Sequence, residues 1–502
     1  MGMSDWSFYG RSAQLDELNQ LVHRENWFFC RIQGRRRIGK TALLKHLATL
    51  DEKLLARLLY MQVPDSDEFD VVTTFKAALD QSDMQVAKDL VAKVDDFASM
   101  AGAIGALSRA GMVVVLDEFQ YFTRAALRSF NSFLQAEVDT LRGTKGGGLF
   151  VLGSIHSEMQ ALLDDKGAPL YGRLTSQQHL GHWDFEDLLT VYRAHGLDEP
   201  SQWLSLWSMF EGVPKFYRDC YEQGLFEVAA SDCQGELLKR MFLMSSSPLT
   251  EEADTWFLRE IRGRGVSILN FLAQNPGCTN GEVNAAFAGK DEKEKTALAT
   301  YLATLVNQYG LVERLLPVFS DSNSRNARYY IADNFLQGWL AVAKPARDVV
   351  RLKPMDRAIA YALPRMKTHE GHAFEKLIRH LHVECSRKGV GDFSLTDINL
   401  GFWNRPRDSS RNIEIDVVAL DGDTKTVRFG SCKRAASAHD NSSLAEFDRH
   451  IEGFLGTKEG KRVHGWNVQK ACFSPKFTQD ERATLRGKGY GSYDLLDYAR
   501  LF

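Results

Sequence analysis

Gly34-Arg35-Arg36-Arg37-Ile38-Gly39-Lys40-Thr41 fits the spacing G-x-x-x-x-G-K-[ST]. The two glycines let the backbone curl until its N–H groups converge, and a lysine and a hydroxyl follow at once. That set suits a triphosphate: N–H groups for the phosphate oxygens, Lys40 for the β- and γ-phosphates, and Thr41 for a magnesium ion. Further along, Met112-Val113-Val114-Val115-Leu116-Asp117-Glu118 ends an apolar run in adjacent carboxylates. Metal-dependent phosphoryl transfer uses such a pair, Asp117 holding Mg²⁺ through water and Glu118 orienting or deprotonating the attacking water. Ser154 closes a third apolar run, Leu149-Phe150-Val151-Leu152-Gly153. It is placed either to sense the γ-phosphate or to cap a helix. Arg173, after the turn Pro169-Leu170-Tyr171-Gly172, suits either of two roles. One is to stabilise the γ-phosphate of its own or a neighbouring subunit; the other is a surface ion pair.

The elements needed to position these residues are legible. Trp27–Ile32, Leu58–Val63, Met112–Leu116 and Leu149–Gly153 are near-continuous apolar runs, as strands covered on both faces require. Longer helical stretches alternate with them, so the spacing predicts a parallel α/β sheet. The phosphate loop follows the first strand and opens a helix over Thr41–Leu50, with Leu43, Leu44 and Leu47 on one face. The helix N-terminus adds partial positive charge beneath the phosphates.

In this order the motifs resemble those of the archaeal-type ATPases, a branch of the STAND and AAA+-related P-loop proteins. The matching pieces are Phe8-Tyr9-Gly10-Arg11 with Leu15 and Leu18, the Gly34–Thr41 loop, Leu116-Asp117-Glu118-Phe119-Gln120, Gly153-Ser154, Pro169–Arg173 and Gly212-Val213-Pro214. The resemblance covers about the first 220 residues. It implies ATP with Mg²⁺ as cofactors, Gly10 and Arg11 near the adenine, and a lid segment beginning at Gly212–Pro214. With the loop residues Gly34, Arg35, Arg36, Arg37, Ile38, Gly39, Lys40 and Thr41, and with Ser154, these form the expected nucleotide-binding set.

Past this region, Ile261–Ala273, Thr279–Ala288 and Glu292–Tyr309 read as three helices, and Leu311–Phe319 with Arg328–Ile331 as a two-stranded wing. That is a winged-helix-like module, and Arg328–Phe335 resembles the segment that follows it in the same family. The third helix carries Lys293 and Lys295 among Asp291, Glu292 and Glu294. Packing or regulation suits it better than reading a DNA groove, which needs a denser basic footprint.

The C-terminal part resembles the PD-(D/E)XK nuclease fold, a small restriction-endonuclease-like α/β domain. A helix opens at Gly371-His372-Ala373-Phe374-Glu375, Asp416 lies in Ile413–Leu420, and Ser431-Cys432-Lys433 ends Thr426–Cys432. Asp416 and Lys433 take the positions of metal ligand and catalytic lysine. Ser431 stands where that family carries a second acid. Some enzymes of the fold recover it from the next helix, and Glu446 is the candidate here, joining Asp416 in binding metal. The alternative is that Glu446 is a solvated helix charge and the fold has lost its chemistry.

The expected architecture is thus three domains: a P-loop ATPase domain with a helical lid (1–250), the winged-helix-like module (251–350) and the nuclease-like domain (351–502). Hydrophobic residues make up 44% of the 502-residue chain and charged residues 25%, a globular balance. No apolar run approaches the roughly 20 residues that span a bilayer, and Met1–Gly10 lacks a secretory pattern. The seven cysteines have no zinc or disulfide spacing. A cytoplasmic protein without membrane contact is expected. From Arg351 onward there are 26 Lys/Arg against 20 Asp/Glu, compatible with DNA as a partner of the C-terminal region. Two functions fit: an ATPase whose nucleotide state controls a DNA-acting, nuclease-type domain, or an ATP-dependent switch that self-associates through its ATPase domain and carries an inactive nuclease fold.

Overall fold

The computed structural model describes residues 5–502 except 155, 257, 259, 260, 262, 290, 322, 323, 325, 398, 399 and 405–411. The chain divides into two compact units. One is Trp6–Trp183 with Val213–Lys215, and the other contains Asp184–Gly212 and Phe216–Phe502.

The first unit is built on a parallel sheet of β1 (Phe28–Gly34), β2 (Leu58–Gln62), β3 (Val113–Asp117), β4 (Gly148–Gly153) and β5 (Ser176–Leu180), in the order β2-β3-β4-β1-β5. Alternate side chains of each strand enter opposite cores. Phe28, Cys30 and Ile32 join Val113, Val115, Phe150 and Leu152 on the face covered by α1 (Ser12–Val22) and α2 (Lys40–Thr49). Phe29, Leu59, Met61, Val114, Leu116, Leu149 and Val151 fill the other face. Two buried faces explain why these strands read as continuous apolar runs. The edge strand β5, Ser-Gln-Gln-His-Leu, buries only its third and fifth residues and gave no such run.

The second unit gathers the helices expected as part of the ATPase domain's lid, so the expected boundary at 250 does not follow the packing. Within α3 (Phe185–Ala194) and α4 (Pro200–Phe210), Tyr192 stacks on Trp203 with ring centroids 5.4 Å apart. Phe216 stacks on Phe335 at 4.6 Å. The same unit contains α5 (Arg264–Gln274), α6 (Asn280–Phe287), α7 (Glu292–Asn307) and the antiparallel pair β6 (Val312–Leu315) and β7 (Arg328–Ile331). These are the elements expected of the middle module.

The 34-residue α8 (Met355–Lys388) then runs through Pro364 and ends at Gly389 in the left-handed region. The helix expected to open at Gly371 therefore starts far earlier, and Glu375 lies in its interior. Beyond it come the antiparallel strands β8 (Leu400–Trp403), β9 (Glu414–Asp421) and β10 (Thr426–Cys432), α9 (Asn441–Leu455), then β11 (Asn467–Phe473) and β12 (Gly491–Tyr493) parallel to β10. This is a mixed sheet in the order β12-β11-β10-β9-β8.

A β-bulge sits in the middle of this sheet. Leu400 pairs with Val418 and Phe402 with Ile415, so Gly401 faces both Asp416 and Val417. The core against α9 takes Ile413 and Ile415 before the bulge, and Val418 and Leu420 after it. Asp416, alternating with Ile415, falls on the opposite face, and the bulge lets Val418 and Leu420 rejoin the face of Ile415. A Cβ on Gly401 would lie 2.9 Å from the Ile415 carbonyl oxygen and 3.2 Å from that of Asp416. Gly401→Ala should thus cost about 1–3 kcal/mol of local stability. The expected readout is faster amide exchange in β8 and β9 with β1–β5 unchanged.

Candidate functional site

The carboxyl edge of the first sheet collects the phosphate-loop residues. Gly34 ends β1 so close to β5 that a Cβ would meet the Leu180 carbonyl oxygen at 2.4 Å. The loop then curls, with Arg37 at φ 68° and Gly39 at φ 92°. Ile38 anchors it, buried among Leu43, Leu44 and Leu47. Lys40 begins α2 and folds back, its ammonium donating to the carbonyls of Gly34 (2.9 Å) and Arg35 (3.1 Å). Burial, offset by the charges of Glu118 and Asp117, pushes its pKa down to about 8. The Arg35 guanidinium lies 3.2 Å from Nε2 of His182, while Arg36 is exposed.

Asp117, at the end of β3, is buried and held by three donors. Its Oδ2 accepts from the Thr41 hydroxyl (2.5 Å) and the Tyr60 hydroxyl (2.8 Å), and its Oδ1 from the Glu118 N–H (2.8 Å). Glu118 takes φ 56°, turning off the strand. Its carboxylate accepts from the Gln120 side-chain amide and from the Ser154 hydroxyl at 3.3 Å. Ser154 thus reaches the acidic pair rather than standing apart from it. Tyr60 and Gln120 were missed from sequence. Their only signal was polarity: the Tyr60 hydroxyl in the middle of the mostly apolar β2, and a buried amide two residues after the acidic pair.

Gly10 and Arg11 both have positive φ, 65° and 64°. The buried Arg11 guanidinium donates to the Gly181 carbonyl at 2.7 Å and approaches that of Ile38 at 3.4 Å, tying the N-terminal segment to the loop. A Cβ on Gly39 would lie 3.9 Å from Pro214 Cγ, so that proline also borders the loop.

Arg173 is a correction. It precedes β5, whose first residue Ser176 pairs with Cys30, while the loop begins beyond Leu180 and Gly34. Those four ladder steps alone span about 13 Å at 3.3 Å per residue. Arg173 therefore lies at the amino edge, clasping Asp139 through two hydrogen bonds of 2.8 and 2.9 Å. It does not reach a γ-phosphate in its own subunit.

The second unit contains another set of carboxylates. Glu375 of α8 and Asp416 of β9 line a cavity of about 260 Å³ with Glu414, Arg379, Arg328 and Trp403. Burial, then the charge of Asp416, pushes Glu375 up to about 8, and burial raises Asp416 as well. Asp416 Oδ2 accepts the Cys432 N–H at 2.8 Å. The charge of Lys433 acts on both carboxyls, favouring their ionised forms. Arg328 of β7 bonds Glu414 at 2.7 Å and lies over the Trp403 ring at 4.7 Å.

Glu446 does not join them. Its side chain is 61% exposed and pairs with Arg449, 3.2 Å away and one turn along α9. The α9 residues Leu444, Phe447, Ile451 and Phe454 pack on the Ile413/Ile415 face, opposite Asp416. The expected Asp416–Glu446 metal pair is not formed. Among the described residues, no third His, Cys or carboxylate completes a ligand cluster with Asp416 and Glu375.

Comparison with known proteins finds similarity in two parts of the chain. Residues 8–215 match a family described as an ATPase domain predominantly from Archaea. Residues 339–444 match archaeal and bacterial proteins of unknown function. Over 430 residues the chain is 24% identical to MJECL04, an uncharacterised protein of Methanocaldococcus jannaschii, covering 85% of this chain and 87% of that one. Similar solved structures include the Walker-type ATPase PABY2304 of Pyrococcus abyssi, with TM-score 0.47, 17% identity, and coverage of 67% of this chain and 96% of that one. Another is the Aeropyrum pernix ORC1 protein, solved in complex with DNA, with TM-score 0.33, 12% identity, and coverage of 72% and 95%. Residues 8–215 are thus similar to ATPase domains found predominantly in Archaea. No helix among the described residues is long and apolar enough to cross a membrane.

The lowered pKa of Lys40 predicts a pH dependence for stability and for nucleotide binding. The folded pKa near 8 lies below the ordinary lysine value of 10.5, so between those values the unfolded chain binds more protons. This group's contribution to the stability of the nucleotide-free protein therefore rises with pH through that window. A triphosphate beside the ammonium reverses the shift. ATP binding at pH 9 should be accompanied by proton uptake that fades toward pH 7, measurable by calorimetry in buffers of different ionisation enthalpy.

Proposed function

We propose that the protein is an ATP-hydrolysing switch, with magnesium as the metal of its nucleotide site. The observation that supports this best is the convergence of Thr41, Asp117, Glu118 and Ser154 by direct hydrogen bonds beside the Lys40 loop. The donor set fits the ion: a hydroxyl and a buried carboxylate are hard oxygen ligands, and Mg²⁺ keeps several of its waters. Thr41 would hold it directly and Asp117 through water. Bound there, it neutralises charge developing on the β- and γ-phosphates.

The chain's own residues do the rest. Lys40 exchanges two neutral carbonyls for phosphate oxygens, and the first N–H groups of α2 face the same oxygens. Glu118 leaves Gln120 to orient the attacking water as general base. Ser154, already bonded to Glu118, is positioned to report the γ-phosphate. Arg11 and Pro214 border the loop as adenine-side and lid contacts. Arg173 suits only a neighbouring subunit and would have to release Asp139, consistent with self-association through this domain. Glu118→Gln should retain ATP binding and lower turnover by about 10²-fold or more, the range for loss of a general base. Undiminished turnover in the purified variant would remove Glu118 from this role.

For the C-terminal domain, the order helix, three antiparallel strands, helix, parallel strand supports a PD-(D/E)XK-like reading, in which Glu375, Asp416 and Lys433 would be the characteristic residues. The vacant acid at Ser431 and the solvent-facing Glu446 favour a domain that kept this fold for binding, with DNA as the partner class and nucleotide state as its control. The winged-helix-like module fits a packing role, since Lys295 and Arg264 are bonded to Glu292 and Glu294. An active nuclease is the second reading, favoured by the closeness of Glu375, Asp416 and Lys433. Linear and supercoiled DNA incubated with Mg²⁺ or Mn²⁺, with and without ATP, should remain uncut. Cleavage that Asp416→Ala abolishes would select the nuclease instead.

A further inference from the structure

We propose that Tyr60 is a positioning residue for the metal–nucleotide complex, holding the Asp117 carboxylate so that it takes one water of the magnesium shell. This rests on the magnesium–ATP reading of the site. A carboxylate offers about four lone-pair positions. Three are already filled: the Glu118 N–H on Oδ1, and the hydroxyls of Thr41 and Tyr60 on Oδ2. The remaining position accepts a single further donor, which limits Asp117 to one contact through water.

Tyr60 also frees Thr41 for its own task. The Thr41 proton is committed to Asp117, so its lone pairs remain for the cation, and that arrangement persists only while the carboxylate stays turned toward Thr41. The Tyr60 hydroxyl fixes that rotation from the neighbouring strand, where Tyr60 lies opposite Val115 in the β2–β3 ladder. The ring is itself held, packed against the core beneath α2 with the Lys45 ammonium 5.2 Å from its centroid. A tyrosine that merely satisfied its own hydroxyl in a wall would have no effect on metal affinity.

The test separates metal from nucleotide. ATP affinity of the full chain is measured in EDTA, and Mg²⁺ is then titrated into the ATP complex, for wild type, Tyr60→Phe and Asp117→Asn. Tyr60→Phe should bind ATP in EDTA as the wild type does. It should need about ten-fold more Mg²⁺ for half-saturation, the order expected when a carboxylate loses one hydrogen bond. Tyr60→Leu, a second variant without the hydroxyl, should show the same split, so that one side chain's effect on folding does not decide the result. If Asp117→Asn shifts the Mg²⁺ midpoint and both Tyr60 variants leave it unchanged, the positioning role is overturned. If Mg²⁺ has no effect on the wild type or on Asp117→Asn, the magnesium reading fails, and the role of Tyr60 with it.

Discussion

The ammonium of Lys40 is out of water with two main-chain carbonyls as its hydrogen-bond partners, and much of the first unit serves to keep it there. A buried lysine in such a place resists its charge, which is why its pKa falls to about 8. To bring the carbonyls of Gly34 and Arg35 round to the ammonium, the loop must turn back on itself, with Arg37 and Gly39 in the left-handed region. The loop is held by Ile38 in the core and by β5 packed so tightly on Gly34 that no side chain fits. What results is a preorganised cradle: nothing in it need be built when a triphosphate arrives, because the phosphate oxygens replace carbonyls already in position.

The second unit is organised by a different constraint, a helix that carries buried charge along its length. At 1.5 Å per residue, the 34 residues of α8 extend for about 51 Å. Several buried polar groups along it have specific partners. Glu370 accepts from Ser205 at 2.7 Å, Lys376 bonds Glu211 and the Ala332 carbonyl, and Glu384 accepts the N–H groups of Phe185 and Glu186. The Glu384 contact satisfies free donors at the start of α3 with a carboxylate, the sign favoured at a helix N-terminus. These bonds join helices far apart in sequence to α8. They explain why the segment after Asp184 packs with the C-terminal part and not with the sheet whose motifs it follows.

How much of this could be read beforehand follows from what makes a signal local. The first four strands are apolar on both faces and stood out, and Lys40, Thr41, Asp117 and Glu118 were marked by spacing at strand ends. β5 was invisible because an edge strand of mostly polar residues has no periodicity to distinguish it from a loop. The start of α8 was misplaced because Pro364 and Gly371 look like breaks, whereas the surrounding packing carries the helix through both. Tyr60 could not be assigned either. Its hydroxyl matters only because β2 lies beside β3, and strand order is set by long-range pairing.

The carboxylates of the second unit show the same limit at a single residue. On a helical wheel Glu446 falls about 100° from Phe447, at the margin of the buried stripe, so spacing alone allowed it to face either sheet or solvent. Strand alternation decides the matter from the other side: Asp416, next to Ile415, faces away from α9, and the bulge at Gly401 lets Val418 and Leu420 rejoin the face of Ile413 and Ile415. Facing α8, Asp416 has Glu375 of that helix and Glu414 of its own strand as acidic neighbours. Two buried carboxyls in so little solvent do not both ionise readily, and Glu375 is accordingly pushed to about 8. The nearby charge of Lys433 offsets part of this, favouring the ionised form of both carboxyls.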